Sequence, residues 1–276
     1  MTKHADPKSQ AIIFNRSSRI HAIASLAVMS FVWLGCIAAP EEEEGAVGAA
    51  EQASLTTNSL TTNSLTTNSL TTNALTSNSL TTNSLTTNSL TTNALTASAL
   101  EDPLARQLLK YVVSCALPAG EQIDITVRDV DYTFPGELGL APGWGDPSGS
   151  CGPSCRSWVS ACVLSRVNYL GMPVQISLHG EHPALATTPQ EQDTYPRREA
   201  AYWGDIFSAT QVRRACLAPG QTQIPRVCGP SIHGCVIDVV GPCEEVCNGA
   251  RDDGGFVGCD DQDDNGANAP VTVFLR

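Results

Sequence analysis

With 276 residues, 28 acidic against 16 basic side chains and a net charge of −12, the chain is long enough to bury a real core. Its acidity excludes a nucleic-acid binder, which needs concentrated Lys and Arg. It equally excludes electrostatic docking on anionic lipid, so any membrane attachment has to be covalent.

The chain opens on an export pattern. Lys3, Lys8, Arg16 and Arg19 precede the apolar run from Ala22 to Leu34, the basic-then-apolar order of a signal peptide over residues 1–35. That run is too short for a secure membrane span. Leu34-Gly35-Cys36 at its end resembles a bacterial lipoprotein processing site, and the resemblance implies cleavage before Cys36 and lipidation of its thiol. Residues 36–54, with the consecutive acids Glu41 to Glu44, predict an acidic flexible tether.

Over residues 55–100 a leucine falls at every fifth position, from Leu55 to Leu100, in the frame LTTNS. Five residues advance a helix by about 500 degrees, so the leucines form no single helical stripe; on a strand they would alternate faces. A square solenoid would turn every leucine to its axis. The segment resembles the bacterial pentapeptide-repeat proteins, and the likeness implies a short right-handed β-helix. The family usually has a small residue two before the leucine. Here Asn58, Asn63 and their equivalents stand there, and inward amides would need partners. A low-complexity tract of Thr, Asn and Ser reads equally as a disordered spacer. Both readings make the repeat a stalk.

Residues 101–276 predict a disulfide-rich α+β domain. Asp102 and Pro103 open a helix whose inward face is Leu104, Leu108, Tyr111, Val112 and Cys115. Alternation predicts strands at Ile123, Ile125 and Val127, at Val130, Tyr132 and Phe134, at Val174, Ile176 and Leu178, and at Val271, Val273 and Leu275. A second helix is expected over 156–169 with Cys155, Trp158 and Cys162 on one side. At least one of those cysteines should bond outward to a strand or loop. Ala200, Trp203 and Phe207 suggest a third helix opening near Pro196, and residues after Gln211 read as cysteine-laced loops with a strand at 235–240.

Beyond Cys36 stand ten cysteines: Cys115, Cys151, Cys155, Cys162, Cys216, Cys228, Cys235, Cys243, Cys247 and Cys259. Their even number in an exported chain predicts a disulfide framework whose pairing the spacing does not assign. Cys151 with Cys155, and Cys243 with Cys247, lack the regular paired Cys-x-x-Cys pattern of zinc modules.

Chemistry has few places to sit. Asp261, Asp263 and Asn265 occupy positions 1, 3 and 5 of a calcium loop with Gly266 at 6, but Thr272 replaces the bidentate Glu of position 12. The expectation is a weak calcium turn or a solvated acidic loop. His179 and His182 flank Glu181 and can in principle bind metal or move protons, or line an exposed loop. No Gly-x-Ser-x-Gly elbow or glycine-rich phosphate loop is present.

The order of lipobox-like cysteine, repeat, YVVSCAL helix end and SCRSWVSACVLSRVNYLG is similar to a group of envelope lipoproteins of myxobacterial type, a likeness that implies no particular activity. The expected function is a lipid-anchored envelope protein with a non-enzymatic binding or structural role, meeting another envelope protein or a glycan. The alternative is an anchored hydrolase of polysaccharide or peptide acting through carboxylates or His179 and His182. An exposed Trp144, Trp158 or Trp203 beside converging carboxylates would distinguish the second.

Overall fold

The computed structural model describes residues 65–68, 70, 90, 99–170, 173–208, 210–260 and 269–276. The signal segment, Cys36, the tether, most of the repeat and the calcium candidates Asp261, Asp263 and Asn265 lie outside the described residues.

Helix α1, Pro103–Ala116, starts as its sequence dictates: the Asp102 carboxylate accepts the Leu104 N–H at 2.9 Å and Pro103 occupies the first turn. Leu108, Tyr111, Val112 and Cys115 are buried, but so are Leu109, Val113 and Ala116, and Leu104 is exposed. The buried face is wider than one stripe because α1 is covered from two sides. Strands β2 (Gln122–Val127) and β3 (Val130–Pro135) pack on it as a hairpin. The hairpin turns through Arg128 and Asp129, both at positive φ, the geometry that matches the twist of paired strands. On the other side lies α2, Pro153–Ser165. It begins three residues earlier than expected, because Pro153 is its first-turn proline. The buried Arg166 that follows α2 donates to Ser114 Oγ at 2.6 Å and to Glu137 at 2.7 Å, tying the two helices together.

The main sheet has six strands. β4 (Val174–His179), β5 (Arg197–Asp205), β6 (Val212–Leu217), β7 (Asp238–Pro242) and β10 (Val271–Leu275) join β1 (Leu65–Asn68) in the order β1-β4-β10-β5-β6-β7. All neighbours are antiparallel except β6 and β7. A hairpin of β8 (Cys247–Ala250) and β9 (Phe256–Cys259) stands apart. Three short helices, α3 (Pro189–Thr194), α4 (Pro225–Cys228) and α5 (Cys243–Val246), punctuate the loops.

The helix expected near Pro196 is instead β5. Its Ala200 and Tyr202 face the main core with α2, while Ala201 and Trp203 face a smaller cluster with Cys216, Cys243, Phe256 and Cys259. A strand covered on both faces shows no polar alternation, so its apolar spacing imitates a helix. β6 escaped notice because Arg213 and Arg214 interrupt it, and the expected strand at 235–240 starts at Asp238.

Two features join the repeat to this core. β1 pairs along β4 from Leu65 opposite Ser177 to Asn68 opposite Val174. Leu70, Leu90 and Leu100 are fully buried in the main cluster, with the Leu70 carbonyl accepting the Asn168 N–H and the Leu90 N–H donating to the Trp144 carbonyl. Among the described residues no coil of a β-helix is seen.

All ten cysteines after Cys36 are bridged: Cys115–Cys162, Cys151–Cys155, Cys216–Cys243, Cys228–Cys235 and Cys247–Cys259. Cys162 does leave its helix, but its partner is on helix α1 and not on a strand or loop; Cys155 bonds back to the loop before its own helix. The Cys151–Cys155 spacing that faintly suggested zinc is thus a closed bridge.

Candidate functional site

The two histidines serve the fold. His179 ends β4 fully buried, its ring stacked on Phe274 at 4.0 Å between centroids. Nδ1 lies 2.9 Å from the Asp253 carbonyl and donates to it, since a carbonyl can only accept. Nε2 lies 2.9 Å from Ser177 Oγ, which also meets Glu191 Oε1 of α3 at 2.6 Å. The ring therefore pins β4 to α3 and to the turn before β9. Burial holds the His179 pKa below its ordinary value; the nearby Arg198 and Arg251 push the same way, and the Asp253 carbonyl and carboxylate partly oppose them. His182, lowered by burial alone, caps the short turn Pro183–Leu185 by accepting the Ala184 N–H at Nδ1. Its ring meets Trp158 edge-on at 5.4 Å.

The sign of the pH dependence follows. An imidazole that protonates less readily when folded lets the unfolded chain bind more protons below about pH 6.5, so stability is full above that value and is lost as pH falls through it. The melting midpoint is expected to drop between about pH 7 and about pH 5, with a shallower drop in His179→Gln. Equal slopes for the two proteins in a differential scanning series would refute the assignment.

One groove gathers the groups that the fold leaves facing solvent. Its volume is about 500 Å³, and its walls carry Ser154, Arg156 and Trp158 from the first turns of α2, Glu181 from the loop after β4, and Gly204 and Asp205 from the end of β5. The N-terminal turns of α2 line this opening, and Ser154, Ser157 and Trp158, at i, i+3 and i+4, share one face of the helix along it. Arg156 Nε stands 3.5 Å from Asp205 Oδ2, while Oδ1 of the same carboxylate accepts the Phe207 N–H at 2.9 Å and fixes its orientation. Ser157 Oγ accepts the Ala269 N–H at 3.1 Å and anchors the approach to β10.

Gly204 makes the groove's floor possible. Its φ is +138°, and a Cβ there would fall 2.1 Å from the Val212 carbonyl, so no other residue fits between β5 and β6.

Of the three tryptophans among the described residues, Trp144 and Trp203 are core, 1% and 0% exposed, and Trp158 is half-open. It stands on the groove wall with two carboxylates, Glu181 and Asp205, and the guanidinium of Arg156. Its helical position is legible in the sequence, and Glu181 stands out there only as the carboxylate between His179 and His182; Arg156, Glu181 and Asp205 come from separate elements, and no spacing marks them as neighbours. A second, more open recess holds Thr187, Gln192 and Asp252 beside the Arg251–Asp253 ion pair of 3.3 Å, with no aromatic ring. Asp253 also accepts the Gly255 N–H within its own turn.

Among the described residues no helix is long and apolar enough to cross a membrane. No family model, no curated protein and no solved structure matches the chain.

Proposed function

We propose that this is an exported, lipid-anchored envelope protein with a non-enzymatic role, and that it holds a saccharide in the Trp158 groove. The carrying observation is the half-open indole framed by Arg156, Glu181 and Asp205. A sugar presents an apolar C–H face and an equatorial ring of hydroxyls. An aromatic wall suits the first and fixed carboxylate and guanidinium groups suit the second. The edge contact from His182 holds the indole in place.

Both histidines of the hydrolase alternative have positions in the fold, which supports binding over turnover. In this reading Cys36 carries the lipid, the acidic tether and the repeat set the distance from the membrane, and the five bridges suit an oxidising compartment.

The test is calorimetry of the intact protein against soluble envelope oligosaccharides, alongside fatty-acid labelling of cells. Trp158→Ala is expected to weaken binding at least tenfold, with a lowered melting midpoint because the half-buried indole packs on the core, and Cys36→Ala to abolish the label. Saccharide binding that is absent, or indifferent to Trp158→Ala, would remove the glycan reading, and label surviving in Cys36→Ala would remove the anchor.

A further inference from the structure

Two of the five disulfides touch. Cys216 Sγ lies 3.7 Å from Cys247 Sγ, although each is bonded elsewhere, to Cys243 and to Cys259. The sulfurs of Cys216, Cys247 and Cys259 all fall within 4.8 Å of one another. They sit on the sheet face opposite α2, where the small cluster around Trp203 and Phe256 is closed by α5 and the β8–β9 hairpin. Cys216, Cys243 and Cys259 are 0% exposed, whereas Cys247 is half-buried.

That arrangement has a chemical direction. Disulfides exchange when a thiolate attacks a bridged sulfur and displaces its partner, and access decides which bridge opens first. A reductant can reach the Cys247–Cys259 bridge at Cys247. Attack there puts a mixed disulfide on Cys247 and expels Cys259; when the reductant's second thiol closes, Cys247 is freed as a thiolate already in contact with the next electrophilic sulfur, Cys216.

We propose that the two bridges form one exchange unit, in which reduction at Cys247–Cys259 moves the remaining bond to Cys216–Cys247. A dithiol reductant gives two electrons and two protons to the Cys247–Cys259 bond and leaves as a cyclic disulfide. Cys247, as thiolate, then attacks Cys216 Sγ; the Cys216–Cys243 bond breaks and Cys243 departs with the electron pair, taking up the proton that Cys247 released. The product holds one bridge, Cys216–Cys247, and two thiols, Cys243 and Cys259. The hairpin exchanges its internal bridge for one to β6, while α5 loses its covalent hold. This unit is independent of the saccharide groove.

The experiment is partial reduction of the native, full-length protein with a limiting amount of dithiothreitol, acid quenching, alkylation and peptide mass spectrometry. The first two-electron product is expected to carry label on Cys243 and Cys259, with a Cys216–Cys247 crosslinked peptide. Label on Cys247 and Cys259 with Cys216–Cys243 intact would overturn the proposal, as would first reduction at any other bridge. In a Cys247→Ser/Cys259→Ser variant, reduction of Cys216–Cys243 should be at least tenfold slower than in the parent. An unchanged rate would also overturn it, and the parent's labelling pattern decides the matter if that variant fails to fold.

Discussion

Arg226→Met is expected to destabilise the protein by about 3–5 kcal/mol, the range for stripping one partner from a buried ion pair. Arg226 and Glu199 are 4% and 5% exposed. Nε of Arg226 donates to both Glu199 oxygens at 3.0 and 3.1 Å, and Nη2 donates to Glu199 and, at 3.1 Å, to Tyr202 Oη. Nη1 donates to the Ser165 and Val167 carbonyls at 2.9 and 2.8 Å. One side chain thus neutralises a carboxylate on β5 and satisfies backbone carbonyls where α2 ends, which is why that helix stops at Ser165 without a glycine. Burial by itself lowers the Arg226 pKa, but the charge of Glu199 and the Tyr202 phenol raise it further, and the guanidinium stays charged. Burial, then Glu199, pushes the Tyr202 phenol well above its ordinary value, so it remains a donor to Glu199.

With methionine at 226, Glu199 would be a buried anion facing Tyr202 alone. The double variant Arg226→Met/Glu199→Leu should recover part of the loss, because the uncompensated charge goes with it. Urea unfolding at neutral pH measures both. A single variant within about 1 kcal/mol of the parent would mean that the pair contributes little to holding β5, α2 and α4 together.

The second large effect is covalent. Removing Cys115–Cys162 by a double alanine substitution should cost about 4 kcal/mol, against about 2 kcal/mol for Cys151–Cys155, since restraint of the unfolded chain grows with the loop closed. The two bridges span 47 and 4 residues of sequence. Both sulfurs of the longer bridge are 0% exposed at the α1–α2 contact, so alanine adds a small packing loss in the same direction. Denaturant midpoints of the two double variants test the ranking, and the reverse order would reject the loop-length account for this fold.

How far the sequence revealed the fold depended on how many faces of an element meet solvent. α1 was readable from Asp102, Pro103 and its periodicity, and β2, β4 and β10 from alternation. β5 was not: with Ala200 and Tyr202 in one cluster and Ala201 and Trp203 in another, it has no solvent face to set a period of two. The bridging of the cysteines was legible as a class, but pairing is a property of the fold. The groove was the least visible, because Arg156, Glu181 and Asp205 acquire a common meaning only when α2, β4 and β5 are brought together. What sets this triple apart among the described residues is that it stands beside the half-open Trp158.

The edge strand β1 has a consequence for how the gene can vary. Its four residues, Leu65-Thr66-Thr67-Asn68, recur unchanged at 55–58, 60–63, 70–73, 80–83, 85–88 and 90–93. Loss or gain of one unit by replication slippage upstream of β1 leaves an identical tetrapeptide for the slot beside β4, while the chain leading to it changes by five residues, up to about 18 Å of reach. Copy number can therefore drift in steps without rewriting the sheet, so that the length of the segment before β1 and the integrity of the sheet it enters are inherited separately.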